Sequence, residues 1–126
     1  MVKTTTSAIE LDSFGVIQNT FNTRSAFKLV YILEQANTVG QILNGKKAPV
    51  LLNLLKIDQV KLGHFSKIAV PENLENATAI AILVNSGFQK KALNFWYGFK
   101  KRTCPIVVFT DKNAANTWLL THLNNK

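Results

Sequence analysis

The sequence predicts an α/β sandwich, a single domain in which a mixed sheet of about five strands carries helices packed on it. The chain has 126 residues, 47% of them hydrophobic, which is enough for one core but not for two. Apolar runs of strand length alternate with segments of helical period. No linker or internal repeat divides the chain, so residues 1–126 are expected to form one domain, with frayed ends at 1–6 and 124–126.

The first third of the chain predicts a hairpin followed by a helix. Residues 8–12 alternate apolar and polar side chains, and residues 16–21 follow a turn at 13–15, as expected of two antiparallel strands. A helix is predicted over 27–43 from residues at spacings of three and four, and Gly45 then lies where a left-handed C-cap belongs. The inward stripe predicted for this helix is Leu29, Val30, Leu33, Ala36, Asn37, Gly40 and Leu43.

The middle of the chain predicts two strands that are covered on both faces. Residues 49–55 and 78–84 are nearly continuous apolar runs, as is typical of central parallel strands. Between them the pattern is weaker. It predicts a short helix over 61–69 and a further turn over 71–75, with a proline at its first helical position.

The last third predicts a helix, a strand and a closing helix. Ser86 and Gln89 form a capping box for an aromatic helix over 88–99. A strand over 105–109 and a helix over 111–123 follow, and Asp111 favours the positive end of the second helix. The residues predicted to face the sheet are Phe88, Ala92, Phe95, Trp96 and Phe99 in the first helix, and Ala114, Ala115, Trp118, Leu119 and His122 in the second.

The start of the aromatic helix is the candidate ligand site. Asn85, Ser86 and Gly87 lie where a strand ends and a helix begins, and Lys90 and Lys91 follow one turn later. Unpaired backbone N–H groups, the helix dipole and two ammonium groups together favour a phosphate or carboxylate. The alternative, in which Ser86 only caps the helix and the lysines face solvent, stays open because the loop lacks the glycine spacing of a phosphate loop.

The charge of the chain favours anionic partners. Fifteen basic residues stand against seven acidic ones, for a net charge of +8. Lys100, Lys101 and Arg102 form a basic surface beside Trp96 and Tyr97. Proteins that bind nucleic acids combine cations for the phosphates with aromatic rings for the bases. Cations at a helix C-terminus are also favoured by the dipole alone, and the rings are needed in the core, so nucleic-acid binding is the least favoured of the binding functions.

Residues for catalysis or metal binding are not grouped in the sequence. The one cysteine, Cys104, is predicted to be a small, half-buried hydrophobic residue, and neither histidine lies near a cysteine or carboxylate cluster. The seven acids form no pair for acid–base chemistry, so we expect a non-enzymatic protein without a metal or cofactor. The N-terminus resembles no signal peptide and no apolar run reaches the length of a membrane span, so we expect a cytoplasmic protein.

Several segments together resemble a known family. They are residues 45–53, 79–84, 94–99 and 105–111, followed by Ala115 and Trp118-Leu119. Over residues 40–123 the chain is similar to the small bacterial STAS-like proteins, the SpoIIAA-like group related to the CRAL-TRIO lipid-binding fold. The resemblance implies an α/β sandwich that forms a homodimer, with a role in protein interaction or ligand sensing rather than catalysis.

The chain departs from this family at its regulatory loop. Signalling STAS domains carry a phosphorylatable Ser or Thr just after the central strand, whereas residues 53–58 here contain no hydroxyl group. We therefore expect a regulatory or protein-interaction module without a phosphorylation switch, acting on an unknown protein partner. A binder of a lipid-like or other small anionic ligand near the aromatic helix is the first alternative, and a nucleic-acid binder is the second.

Overall fold

A mixed β-sheet forms the centre of the fold. The computed structural model describes residues 1–23, 28–57, 76–85, 87, 90 and 104–123. The six strands within these residues lie side by side in chain order. They are β1 (Val2–Lys3), β2 (Ser7–Leu11), β3 (Ile17–Phe21), β4 (Ala48–Asn53), β5 (Ala77–Leu83) and β6 (Ile106–Phe109), and the helices are α1 (Leu29–Leu43) and α2 (Lys112–Leu120).

The sheet changes direction between its two halves. β1, β2 and β3 pair antiparallel, whereas β3, β4, β5 and β6 are all parallel. Parallel neighbours need a crossover connection, and α1 provides the one between β3 and β4. β4 and β5 lie in the interior of the sheet and are almost wholly buried, as their continuous apolar sequences predict. The predicted mixed α/β fold is confirmed.

The N-terminus differs from the prediction. Val2 and Lys3 pair with Ile9 and Ala8, so the segment that was expected to be frayed adds an edge strand and the described sheet has six strands instead of about five. The Thr4 hydroxyl oxygen accepts a hydrogen bond from the backbone N–H of Ser7 at 3.0 Å and closes the turn after β1. A two-residue strand is too short to show an alternating pattern, so the sequence carries no signal for it.

The face of α1 that meets the sheet was also predicted wrongly. Val30, Leu33 and Asn37, which were assigned to the inward stripe, are exposed, whereas Ala36 and Leu43 are buried as predicted. The buried stripe consists of Ile32, Gln35, Ala36, Val39 and Leu43. The first turns of α1 carry apolar side chains on every side, so the period there does not identify one face.

Both helices begin or end as their sequences predict. Gly45 is in the left-handed conformation (φ 86°), as predicted, but the C-cap of α1 is Asn44, which is also left-handed (φ 50°) and whose backbone N–H donates to the Gly40 carbonyl at 2.9 Å. Asp111 caps α2, since its side chain accepts from the backbone N–H of Asn113 at 3.2 Å. In α2, Ala115 and Leu119 are buried and Trp118 is half-buried, as predicted, and His122 is half-buried in the turn that follows α2. Ala114 is exposed, because it lies about 100° around the helix from Ala115.

The two helices cover opposite faces of the sheet. On the α1 side, residues of β2 to β6 and of α1 form one large hydrophobic cluster, which includes Cys104. On the α2 side, a smaller cluster joins β4, β5 and α2. The predicted elements over 61–69, 71–75 and 88–99 and the capping box at Ser86 and Gln89 lie outside the described residues. Gly87 and Lys90 are helical.

Candidate functional site

The carboxyl edge of the parallel strands is where the sequence predicts a ligand site. Asn53 ends β4, and its side-chain oxygen accepts from the backbone N–H of Leu55 at 3.0 Å. The side chain of Asn85, just beyond β5, donates to the carbonyl of the same residue, Leu55, at 2.9 Å. Two amide side chains from neighbouring strands therefore fix the loop after β4, and the Asn85 amide N–H is engaged within the protein.

The other predicted ligand residues are only partly described. Gly87 is exposed, and a Cβ atom added there would meet nothing within 4 Å, so packing does not require a glycine. Lys90 is helical and half-buried. Ser86, Lys91 and the basic surface of Lys100, Lys101 and Arg102 lie outside the described residues. The anion site and the basic surface stay predictions.

A buried pair of amides joins α1 to the sheet. The Asn19 Nδ2 group of β3 donates to Gln35 Oε1 of α1 at 2.9 Å, and each side chain is only 3% exposed. Buried polar groups are stable in an apolar core only when they are hydrogen-bonded, so this bond ties α1 to one position over β3. Asn19 is not among the site residues predicted from the sequence, although the strand pattern shows that it faces inward. It lies between Ile17 and Phe21 in an alternating strand, and both of those neighbours face the core.

A small cavity lies next to this pair. It has a volume of about 20 Å³, measured as the space open to the centre of a water-sized sphere. Three amide side chains line it together with five aliphatic ones: Asn19, Gln35 and Asn76, and Ala36, Val39, Val50, Leu52 and Ile80. Asn76 packs beside α1 at Gly40, where an added Cβ would lie 3.5 Å from its Nδ2 atom.

The solvent side of α1 has an unusual composition for a protein of this charge. Its exposed residues, among those whose side chains the structure describes, are Val30, Leu33, Asn37 and Gln41, which we call the α1 outer face. Val30 is 64% exposed and Leu33 is 38% exposed. Glu34 borders this face, but its carboxylate accepts hydrogen bonds from the Thr5 backbone N–H at 3.0 Å and the Thr5 hydroxyl at 2.9 Å. The α1 outer face therefore carries two aliphatic and two amide side chains and no charge.

Cys104 and His122 lie in packed surroundings. Cys104 is 5% exposed and belongs to the core on the α1 side, more deeply buried than the sequence predicts. The His122 ring lies against Trp118, with the ring centroids 4.7 Å apart, and Trp118 also meets Phe109 at 5.7 Å. The His122 carbonyl accepts from the Thr78 hydroxyl at 3.2 Å, which fastens the end of α2 to β5.

Comparison with known proteins places the chain in a family and a fold. The model of a family described as a domain of unknown function (DUF7793) matches residues 11–123. An uncharacterized protein of the DUF3478 family with a SpoIIAA-like fold, from Shewanella loihica PV-4, is similar with a TM-score of 0.57 and 17% identity, over 94% of this chain and 98% of that one. This likeness confirms the predicted SpoIIAA-like fold.

A second solved structure also matches this chain over most of its length. A protein of unknown function from Arthrobacter sp. FB24 is 24% identical over 94% of this chain and 96% of that one, with a TM-score of 0.35. No curated protein matches the sequence. Among the described residues, no helix combines the length and the apolar character that crossing a membrane requires.

Proposed function

The chain belongs to the DUF7793 family, and on that premise we propose that it is a non-enzymatic protein-interaction module whose first partner is a second copy of itself. The contact is made through the α1 outer face, the surface formed by Val30, Leu33, Asn37 and Gln41. The non-enzymatic part of the proposal rests on the sequence, in which the acidic residues form no pair for acid–base chemistry.

The observation that carries this proposal is the absence of charge on the α1 outer face. The cores of protein interfaces are depleted of charged residues, and paired exposed aliphatic side chains on one helix face favour contact with another protein. Val30 and Leu33 are neighbours at a spacing of three residues, so they form one apolar spot rather than two separate ones. Asn37 and Gln41 extend the face by two turns with side chains that both donate and accept hydrogen bonds.

The lack of charged side chains on the α1 outer face makes it the surface where a second copy meets the least electrostatic repulsion. Two molecules with a net charge of +8 repel each other, and a contact between copies avoids this repulsion best where neither surface presents a cation. The cations nearest along the chain, Lys28 and Lys46-Lys47, lie just beyond the two ends of α1. In an isologous dimer the same surface of each copy meets across a two-fold axis. At the α1 outer face, such an axis brings uncharged side chains against uncharged side chains.

Sedimentation of the full chain over a range of protein concentrations tests the proposal. The wild-type protein is expected to sediment as a dimer at high concentration and to dissociate on dilution. Leu33→Lys adds one positive charge to each copy at the contact, so it should weaken the association at least tenfold in Kd.

A matched variant separates a specific contact from a general charge effect. Leu120 is 40% exposed, nearly the same as Leu33, but it lies on α2, on the opposite side of the sheet. Leu120→Lys adds the same charge and should leave the dimer intact. A wild-type protein that stays monomeric at every concentration, or equal weakening by both variants, would rule out the α1 outer face as the contact.

A further inference from the structure

A buried polar atom without a hydrogen-bond partner among the described residues belongs to a side chain that lines the cavity between α1 and the sheet. Asn19 lines this cavity, and its amide nitrogen bonds Gln35 at 2.9 Å. The amide oxygen of Asn19 is buried and has no hydrogen-bond partner among the described residues. An unmade hydrogen bond in an apolar core is strongly unfavourable. We therefore expect a small bound molecule to form the missing hydrogen bond with this oxygen.

The size of the cavity restricts what that partner is. The cavity measures about 20 Å³ by the positions open to the centre of a water molecule, and one water needs about 10–15 Å³ on this measure. A ligand of several heavy atoms does not fit without movement of α1. The volume therefore selects one small molecule.

The lining restricts the charge of the occupant. Its polar side chains are the neutral amides of Asn19, Gln35 and Asn76, and its remaining residues are aliphatic. A metal ion, ammonium or other ion would lie in this pocket without a compensating charge, which is highly unfavourable. The occupant is a neutral molecule that forms hydrogen bonds.

We propose that this cavity is a binding site for one ordered water molecule that is hydrogen-bonded to Asn19 and held between α1 and the parallel strands. A water both donates and accepts, so it satisfies whichever atom of the amide faces the cavity. It completes a polar link between β3 and α1 that aliphatic packing does not supply. The site lies on the buried side of α1, opposite the α1 outer face, so it is independent of the proposed self-association.

Filling the cavity tests this proposal by the sign of a stability change. Val39 lines the cavity, and Val39→Ile adds one methylene group to the wall. If a bonded water is displaced, the Asn19 amide is left unsatisfied and Tm should fall by several degrees. If the cavity is dry and empty, the same methylene fills a void and Tm should rise, which would overturn the proposal.

Two further variants isolate the role of the amide. Val2→Ile makes the same change on the exposed edge strand β1, away from the α1 outer face, and should shift Tm by no more than about 1 °C. In an Asn19→Leu background there is no amide left to satisfy at position 19, so Val39→Ile should lose its destabilising effect or raise Tm. A Tm decrease of the same size in both backgrounds would show overpacking instead of displaced water, and would overturn the proposal.

A crystal structure at high resolution gives the direct readout. One density peak within hydrogen-bonding distance of the Asn19 amide is expected in the wild-type protein, and none in Val39→Ile. A cavity without density, or density for a molecule larger than water, would contradict the assignment.

Discussion

The two faces of the sheet are packed with different kinds of side chains. On the α2 side, Ala79 and Ala81 of β5 lie under Ala115 and Leu119 of α2, and all four side chains are fully buried. Small side chains on facing surfaces let a helix lie close to a sheet. On the α1 side the core consists mainly of long aliphatic side chains and contains the buried amides, the Asn19–Gln35 pair, with a cavity beside it.

This difference indicates a division of roles between the faces. Tight apolar packing contributes stability in proportion to the area that it buries. Buried amides contribute less net free energy, but they are unfavourable in any other arrangement and so specify one position for the helix. We infer that the α2 side contributes stability alone, whereas the α1 side, with the larger apolar cluster, contributes stability and also fixes the placement of the helix that presents the α1 outer face.

The exposed surfaces of the two helices differ in charge. The exposed residues of α2 include Lys112, Asn113 and Thr117, an ordinary polar surface with a cation. The exposed residues of α1 carry no charge at all. The protein has a net charge of +8. Even so, α1, the helix that the buried amides hold in position, has only uncharged residues in its exposed set.

The largest effect is expected on the α2 side. Leu119 is fully buried there, and Leu119→Ala should lower the free energy of unfolding by about 2–5 kcal/mol, because it leaves a cavity in a closely packed cluster. Urea denaturation measures this change. Leu120→Ala, one residue further along α2 and 40% exposed, should cost less than about 1 kcal/mol. Equal losses for the two variants would contradict the packing assigned to α2.

The buried amides on the α1 side should show an intermediate effect. Asn19→Leu removes the donor to the Gln35 side-chain oxygen, and removing one partner of a buried hydrogen bond costs about 1–3 kcal/mol. Combining it with Gln35→Met replaces both partners by apolar groups, so the double variant should lose less than the sum of the single variants, by at least about 0.5 kcal/mol. Strict additivity in a double-mutant cycle by urea denaturation would show that the pair does not act as a unit.

The cap of α2 should contribute less than the core. Asp111→Ala removes the side chain that accepts from the Asn113 backbone N–H, and the loss of such a cap costs about 1 kcal/mol. The neighbouring exposed residue provides the control, since Lys112→Ala removes a charge but no cap and should stay within about 0.5 kcal/mol of wild type. If both variants lost the same amount in thermal denaturation, the capping role would be wrong.

The smallest stability effect is expected on the α1 outer face. Leu33→Lys changes a side chain at the surface, so the unfolding free energy of the monomer should change by no more than about 0.5 kcal/mol, even though the same variant weakens self-association. Urea denaturation at a concentration too low for dimers measures this. A large loss under that condition would mean that Leu33 packs within its own chain, which would break the proposed division of roles.

The architecture was largely predictable because its signals are local. The continuous apolar runs of β4 and β5, the cap at Asp111 and the left-handed end of α1 at Asn44 each depend on a few adjacent residues. The pairing of Val2 with Ile9 depends on a strand two residues long, and no pattern of that length is distinctive.

The surfaces of α1 were not predictable from its period alone. Val30, Ile32 and Leu33 are all apolar in the first two turns, and only the finished fold shows that Ile32 is buried while the other two are exposed. Asn19 and Gln35 are 16 residues apart in the chain, and their hydrogen bond depends on a contact between a strand and a helix. Asn19 itself was identifiable as inward-facing from the alternation of β3, but its partner was not.

Site-specific cross-linking tests the central claim, that two copies meet through the α1 outer face, most directly. Asn37→Cys places a thiol in the middle of this face, and Thr117→Cys places one on the exposed side of α2, while the native Cys104 is buried. A short bis-maleimide should convert most of the Asn37→Cys protein to a covalent dimer and leave Thr117→Cys monomeric. Equal dimer yields from the two variants, or no covalent dimer from Asn37→Cys, would contradict the claim.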